Sequence, residues 1–294
     1  MIMSTLINGK EVSLLLRENI KSETALLKDR YNKVPKLAVI LVGNNPASQT
    51  YVNSKGKAAL ECGFEYKDYL LSENTSEAEL INLVNTLNND ESVNGILVQL
   101  PLPKHINEEK VINTIKSEKD VDGFSPYNTG LLAIGEDCLM PCTPAGILEL
   151  LKYYNISTVG KRVCIIGRSN IVGKPIALML MQKGWDATVT VCNSKTENLT
   201  EETKRADIII AAIGKPNFLT GDMVSDGAVV IDVGINRVED KTKKKGYRIV
   251  GDCDFDSLVD KCSFITPVPG GVGPMTITLL MNNTLKAFKN HLEK

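Results

Sequence analysis

The sequence predicts an α/β fold of two domains, each built on a mainly parallel sheet. Short apolar runs of strand length alternate with helical patterns, the order that parallel sheets with crossover helices require. The runs stop at glycine or proline, and residues suited to helix caps follow several of them. At 294 residues the chain is also long for a single core, so two domains are expected.

In the first half, strands are expected near 37–43, 67–71 and 94–98. Leu37-Ala-Val-Ile-Leu-Val-Gly43 is apolar throughout and ends in glycine, as a strand buried on both faces would be. Asn45 then offers an N-cap, Pro46 suits the first helical position, and Gly63 marks a plausible stop. Ser76 with Glu79 makes a capping-box signature for a helix ending near Asn89. Leu100-Pro-Leu-Pro103 closes the third strand, because neither proline can donate to a ladder. From about Lys116 to Met140 a loop-rich stretch is expected, and a helix from about Thr143 to Tyr154 leads into the second alternating block.

That block begins with Arg162-Val-Cys-Ile-Ile166 and runs straight into Gly167-Arg-Ser-Asn-Ile-Val-Gly173-Lys-Pro175. Further strands are expected at 187–192, 207–212 and 228–233. The lysine run Lys241 to Lys245, flanked by Glu239, Asp240 and Gly246, is most simply a solvated hairpin tip, with phosphate binding as the lesser alternative. Pro267-Val-Pro-Gly-Gly-Val-Gly-Pro274 precedes a helical pattern from about Thr276 to His291. No repeat of solenoid period and no low-complexity segment is visible.

Composition removes several function classes. With 43% hydrophobic and 23% charged residues and a net charge of −1, the chain has no electrostatic footprint for nucleic acid or an anionic membrane. No apolar stretch approaches the length of a membrane span, and Met1-Ile-Met-Ser-Thr-Leu-Ile lacks the pattern of a signal peptide. Seven cysteines (62, 138, 142, 164, 192, 253 and 262) form no CxxC and argue against a disulfide framework, so a reducing, cytoplasmic home fits best. With His105 and His291 as the two histidines, a histidine-rich metal site is not expected.

Tyr51 and Lys55 stand four apart on the helix expected after the first strand, so phenol and ammonium share a face where α/β proteins place reactive groups. The bland alternative is a half-buried aromatic and a solvated charge. Gly167 to Gly173 lies between a buried strand and a helix, the context in which a helix N-terminus receives a pyrophosphate. Its spacing departs from GxGxxG, and the plain alternative is a tight turn without a ligand. The second strand of this block ends Val191-Cys-Asn-Ser194-Lys-Thr, without the carboxylate that an NAD site places there. Arg168 and Ser194 could instead accept a 2′-phosphate, which favours NADP. Ala212-Ile-Gly214-Lys-Pro216 and Asp232-Val-Gly234-Ile235-Asn, at later strand ends, could border the nicotinamide or be plain punctuation by glycine.

Six segments together resemble the bifunctional methylenetetrahydrofolate dehydrogenase/methenyltetrahydrofolate cyclohydrolase family. They are Pro46-Ala-Ser-Gln-Thr-Tyr51-Val-Asn-Ser-Lys55, Gly95-Ile-Leu-Val-Gln99-Leu-Pro-Leu-Pro103 and Lys119-Asp-Val-Asp122-Gly-Phe124, then Pro141-Cys-Thr-Pro144, the Gly167–Pro175 turn and Pro269-Gly-Gly-Val-Gly-Pro-Met-Thr276. They fall in the family's order and span nearly the whole chain. Two departures stand out: Asn45 where the family usually has aspartate, and Asn193 where it usually has histidine.

The resemblance implies an N-terminal α/β folate-binding domain (1–140, completed by a C-terminal helix at 275–294) and a Rossmann-like NADP-binding domain (141–274). It implies a homodimer formed through the cofactor domain. The family oxidises 5,10-methylenetetrahydrofolate to the 5,10-methenyl cation and hydrolyses that to 10-formyltetrahydrofolate. Hydride leaves a carbon flanked by two nitrogens, so the first step needs orientation more than a base, which suits a chain so poor in histidine. The second step needs proton handling, and Lys55 is the candidate. A free lysine titrates at about 10.4, and catalytic sites lower this to roughly 7–8. Gln99 would orient the amine, Tyr51 would stack on the folate and help hold Lys55, and Asp122 would bind the pterin's N–H edge. Pro269 and Gly270 would shape the pterin wall, while Gly167, Arg168, Ser169, Ser194, Gly214 and Ile235 would bind the cofactor. Cys142 has no obvious base nearby and is expected to be structural.

Three rival readings compete with this one. A short-chain dehydrogenase also uses a Tyr-x-x-x-Lys pair, but there the glycine turn precedes the pair, and here Lys55 precedes Gly167. An enzyme with one of the two activities keeps the same fold. A non-catalytic binder sits poorly with Tyr51, Lys55, Gln99 and Asp122 all in place.

Overall fold

A computed structural model describes residues 4–243 and 246–293. Met1 to Met3, Lys244, Lys245 and Lys294 lie outside it; these include the extreme ends of the expected domains and two positions of the lysine run. The chain divides into two compact units, a first of residues 14–142 with 277–293 and a second of 4–13 with Thr143–Thr276.

The chain opens with β1 (Thr5–Leu6) and α1 (Gly9–Tyr31). Then come β2 (Lys36–Val42), α2 (Pro46–Glu61), β3 (Glu65–Leu71), α3 (Glu77–Asn89) and β4 (Gly95–Val98), with α4 (Glu108–Thr114) and α5 (Pro126–Ile134) after them. β2 pairs in parallel with β3 on one side and β4 on the other, and Leu37 to Val42 are all buried, as their unbroken apolar run requires. Ser76 and Glu79 form the expected capping box at α3. The stretch expected to be loop-rich contains α5. Its signals are local: Ser125 accepts from Asn128 N–H, Pro126 opens the first turn, and Gly135 closes it with φ +78°.

The second unit continues with α6 (Cys142–Tyr153), β5 (Arg162–Ile166), α7 (Gly173–Leu180), β6 (Thr188–Cys192), α8 (Leu199–Lys204), β7 (Ile208–Ala211) and β8 (Val229–Asp232). An antiparallel hairpin of β9 (Asn236–Glu239) and β10 (Tyr247–Val250) follows, then α9 (Phe255–Leu258), β11 (Phe264–Ile265) and α10 (Val272–Leu292). In the hairpin tip Lys241, Thr242 and Lys243 are exposed. The main sheet has the order β1-β11-β8-β7-β5-β6, parallel at every pairing. Ile165, Ile209, Ile210, Val230 and Ile231 are fully buried in it. From β5 the chain passes outward to β6 and then returns across β5 to β7. That reversal opens a crevice at the carboxyl ends of β5 and β7, where doubly wound sheets take their ligands.

Candidate active site

In the first unit Lys55 lies in α2, which follows β2, and Gln99 directly follows β4. Asn45 starts α2: its Oδ1 accepts from Ala47 N (2.9 Å) and Ser48 N (3.2 Å), so an amide does the capping an aspartate would do. The helix ends in a Schellman closure, with Phe64 N donating to Ala59 O and Gly63 N, at φ +80°, to Leu60 O. Helical spacing then separates the two expected residues by environment. Lys55 is buried, 9% exposed, whereas Tyr51 is 40% exposed and offers its ring to a stacking partner. Lys55 Nζ donates to Gln99 Oε1 at 2.9 Å. Gln99 Nε2 in turn donates to Leu100 O at 2.7 Å, so both ends of the amide are committed. The backbone of Gln99 also donates to Ile40 O, which ties it to the central strand.

Asp122 stands on a turn held from several directions. Asp120, immediately upstream, accepts through Oδ1 from Gly123 and Phe124 N–H (3.1 and 3.2 Å) and through Oδ2 from Ser125 N and Asn128 Nδ2 (2.7 and 3.0 Å). Lys119 is buried and donates to the carbonyls of Leu87 and Asp90. The carbonyl of Val121 receives Cys142 Sγ (3.2 Å) and Asn283 Nδ2 (2.9 Å), and Asn283 Nδ2 also reaches Met140 O (2.7 Å). Desolvation pushes the Asp122 carboxyl above the ordinary carboxylate range; the Lys55 charge opposes that rise and Asp120 adds to it. Lys55, Gln99 and Asp122 therefore share one electrostatic neighbourhood. Burial, reinforced by Asp122, pushes the Cys142 thiol well above its usual value. A thiol held so far above its usual value and bonded to a backbone carbonyl is not primed as a nucleophile.

In the second unit the geometry is carried by backbone. Gly167 follows β5 with φ +122°, and a Cβ there would lie 2.1 Å from Ala212 O, just past β7. A Cβ on Gly173 would lie 2.1 Å from Gly167 O. The turn thus folds so tightly at the sheet's reversal that peptide groups form its inner surface, which fits the pyrophosphate of a dinucleotide. Ser169 Oγ accepts from Val172 N (3.1 Å) and Gly173 N (3.3 Å) and so shapes the entry to α7. Arg168 and Ser169 are exposed beside the turn, and Ser194 is exposed just past β6. Asn193 shapes that corner, accepting from Lys195 N through Oδ1 and donating its own N–H to Thr196 Oγ1. Gly214 and Ile235 are exposed beyond β7 and β8. Pro269 is exposed and Gly270, at φ +112°, receives Lys10 N–H on its carbonyl.

Sequence reasoning noted the Asp232-Val-Gly234 turn for its glycine but passed over the carboxylate of Asp232 and all of Asp252. Both are buried, and between them they accept six hydrogen bonds from the loops after β7 and β8 and from their own strand ends. Their signal was a pair of aspartates next to glycine, Asp232-Val-Gly234 and Gly251-Asp252.

A doubly wound parallel sheet with a glycine turn at its reversal, in one chain with a buried lysine–amide pair, defines a two-domain dinucleotide-dependent enzyme. Residues 7–122 match the catalytic domain of tetrahydrofolate dehydrogenase/cyclohydrolase, and residues 141–292 match the NAD(P)-binding domain of the same enzymes. The chain belongs to the tetrahydrofolate dehydrogenase/cyclohydrolase family. It is 56% identical to the bifunctional protein FolD of Campylobacter hominis over 289 residues, covering 98% of this chain and 99% of the relative. It is 54% identical to that of Bacteroides thetaiotaomicron, over 99% of this chain and all of the relative. Among solved structures, the Trypanosoma brucei methylenetetrahydrofolate dehydrogenase-cyclohydrolase, complexed with NADP cofactor and an inhibitor, superimposes with a TM-score of 0.96 at 40% identity over the full length of both chains. The FolD enzyme of Campylobacter jejuni gives 0.92 at 52% identity, over 98% of this chain and 99% of that one.

Proposed function

We infer that this chain oxidises 5,10-methylenetetrahydrofolate with NADP and hydrolyses the resulting methenyl cation to 10-formyltetrahydrofolate. The observation that carries this reading is the buried Lys55 amine on the Gln99 amide, within a chain that matches both halves of the family. Folate is assigned to the unit of 14–142 with 277–293, and NADP to that of 4–13 with 143–276; residues 4–13, expected with the folate domain, join the cofactor sheet through the pairing of β1 with β11. NADP, when bound, supplies the hydride acceptor. Gly167, Arg168, Ser169, Ser194, Gly214 and Ile235 would hold it, with Arg168 and Ser194 toward the 2′-phosphate.

Asp122 takes the pterin's N–H edge, Tyr51 stacks on the folate, and Pro269 with Gly270 lines the pterin. In the hydrolytic step, water attacks the methenyl carbon, a new C–O bond forms, and Lys55 Nζ takes a proton from that water. Collapse of the adduct forms the formyl C=O and breaks the bond from that carbon to N5; the hydroxyl proton ends on N5. Gln99 Oε1 keeps one N–H of Lys55 engaged, which fixes the direction of Nζ toward the attacking water.

Two further assignments accompany this one. β6 closes one edge of the main sheet with Thr190 and Val191 exposed, which suits a homodimer formed through the cofactor unit. Among the described residues no helix is long and apolar enough to cross a membrane, and all seven cysteines are free; a cytoplasmic location is proposed on the cysteines.

The test is to mix the protein with 5,10-methylenetetrahydrofolate and NADP and to follow reduced nucleotide and methenyl absorbance together. The native chain should form NADPH without accumulating methenyl product. Lys55→Met should lower hydrolysis of added methenyltetrahydrofolate by about 10²-fold or more while NADP still binds. Normal hydrolysis in Lys55→Met would remove the lysine from its role.

A further inference from the structure

Two carboxylates without chemistry of their own in the reaction lie buried under the cofactor half of the molecule. Asp252 is 0% exposed and Asp232 is 4% exposed. Asp252 Oδ2 accepts from two successive peptide groups of the loop after β7, Ile213 N at 2.6 Å and Gly214 N at 2.8 Å. Its Oδ1 accepts from Asn236 Nδ2 at 2.8 Å, at the start of β9. The main chain of Asp252 holds the remainder of that loop, its carbonyl receiving Phe218 and Leu219 N–H while Gly251 O receives Asn217 N–H. Asp252 is itself seated on Asp232, whose Oδ1 accepts from Asp252 N (2.8 Å) and Gly234 N (2.9 Å) and whose Oδ2 accepts from Cys253 N (2.9 Å).

The glycines around this pair are shaped to it. A Cβ on Gly251 would fall 1.8 Å from Asp232 Oδ2, and one on Gly234 would fall 2.3 Å from Asp252 Oδ1. Gly234 is therefore glycine because a carboxylate occupies the space where its side chain would be. Burying an ionised carboxylate is costly unless N–H groups replace its water, and here all six acceptor contacts come from amide donors of the two strand-end segments and their neighbours. An acceptor-only group that can take two adjacent peptide N–H groups on one oxygen fixes the direction of both peptides at once. The peptides so fixed carry Gly214, and Gly234 N fixes the segment that carries Ile235.

We propose that Asp252, seated on Asp232, is a positioning residue for the cofactor, holding the Gly214 loop and the Gly234–Ile235 segment in the shape that accepts the dinucleotide. This rests on the NADP reading and adds a residue that touches no ligand. It also makes a chemical distinction between substitutions. In Asp252→Asn the oxygen can stay toward Ile213 and Gly214, and the new amide can be accepted by Asn236 once that side chain rotates its own amide. Asp252→Ala offers nothing to either loop.

The experiment measures NADP dissociation constants by titration calorimetry for the native chain, Asp252→Ala, Asp252→Asn and Asn236→Ala, with circular dichroism and thermal midpoints on the same samples. Asp252→Ala should raise the constant by about tenfold or more, the loss of a charge-assisted pair of hydrogen bonds. Asp252→Asn should stay within about threefold of native. Asn236→Ala should rise by an intermediate amount, about three- to fivefold, and carries the test if Asp252→Ala does not fold. Lowered midpoints with an unchanged constant in folded Asp252→Ala or Asn236→Ala would reduce the pair to scaffolding and overturn the proposal. Absence of NADP binding by the native chain would instead overturn the cofactor reading beneath it.

Discussion

The two units solve the same problem, presenting polar groups to a ligand, with different materials. In the unit of Lys55 the groups are side chains: Lys55 on Gln99, and Asp122 above Asp120, Cys142 and Asn283, each locked by a neighbour. In the unit of Gly167 they are peptides: a turn in which a Cβ at Gly167 or Gly173 would strike backbone, and loops hung on Asp252 and Asp232. Side chains can be tuned to one chemical step, as proton transfer demands. Peptide groups recognise a phosphate backbone without caring which reaction follows. Substitutions should therefore separate the activities in the first unit and act through binding in the second.

The largest separation is expected at Gln99. Gln99→Leu strips Lys55 Nζ of the acceptor that aims it and leaves a buried amine without that partner. Hydrolysis of methenyltetrahydrofolate should fall by about 10²-fold, within the usual contribution of a positioned base, while the NADP dissociation constant stays native. A parallel loss of NADP affinity would break the comparison, since it would mean that the lysine–amide pair supports the whole chain rather than one step.

Asn283 is the next largest. One amide nitrogen serves both Val121 O and Met140 O, on either side of the Asp122 turn. Asn283→Ala should destabilise the chain by about 2 kcal/mol, read from urea midpoints, because Met140 O loses its amide donor and Val121 O keeps only the weak donor Cys142 Sγ. The KM for folate should rise with little change in NADP affinity. A smaller effect is expected from Arg168→Ala in the other unit. The exposed guanidinium makes a single recognition contact in this reading, so the preference for NADP over NAD should shrink by about tenfold, roughly 1.4 kcal/mol. An unchanged ratio would move the 2′-phosphate contact elsewhere.

What was legible in the chain follows the same division. The strands at 36–42, 95–98, 162–166, 208–211 and 229–232 stood out because both of their faces are buried, so no polar residue interrupts them. Lys55 stood out four residues after Tyr51 on the helix that follows the first strand, whereas its pairing with Gln99 came from the resemblance alone. What stayed hidden is non-local or irregular. β1 is two residues long and owes its existence to Phe264 and Ile265 of β11, far along the chain. α1 scatters leucines over several faces, with Leu14, Leu15 and Leu26 half or more exposed, so no single apolar stripe announces it. Asn283 acts on Val121 from 162 positions away, and nothing near it in sequence marks the partner. Asp252 drew no reading of its own because most of its partners are peptides, which residue type hardly records.

The smallest effect probes Asp122, where function and stability pull in opposite directions. Its carboxyl is pushed above the ordinary carboxylate range, chiefly by desolvation, so the folded chain binds that proton more tightly than the unfolded chain does. The stability this gives is complete below the unfolded value of about 3.9 and is lost as pH rises through the raised folded value. At neutral pH the ionised group is consequently a burden on the fold, only partly relieved by Lys55. Asp122→Asn keeps the shape and discards the charge, so its thermal midpoint should exceed the native one at pH 7–8. The gap should close as pH falls toward about 4, where the native carboxyl also becomes neutral. In the proposed reading the same variant should bind folate poorly, because the pterin's N–H edge would meet an amide in place of an ionised acceptor. A native chain as stable as Asp122→Asn at pH 8 would show that Lys55 fully offsets the burial. That outcome would turn the pair from a strained site held ready for a ligand into an ordinary ion pair.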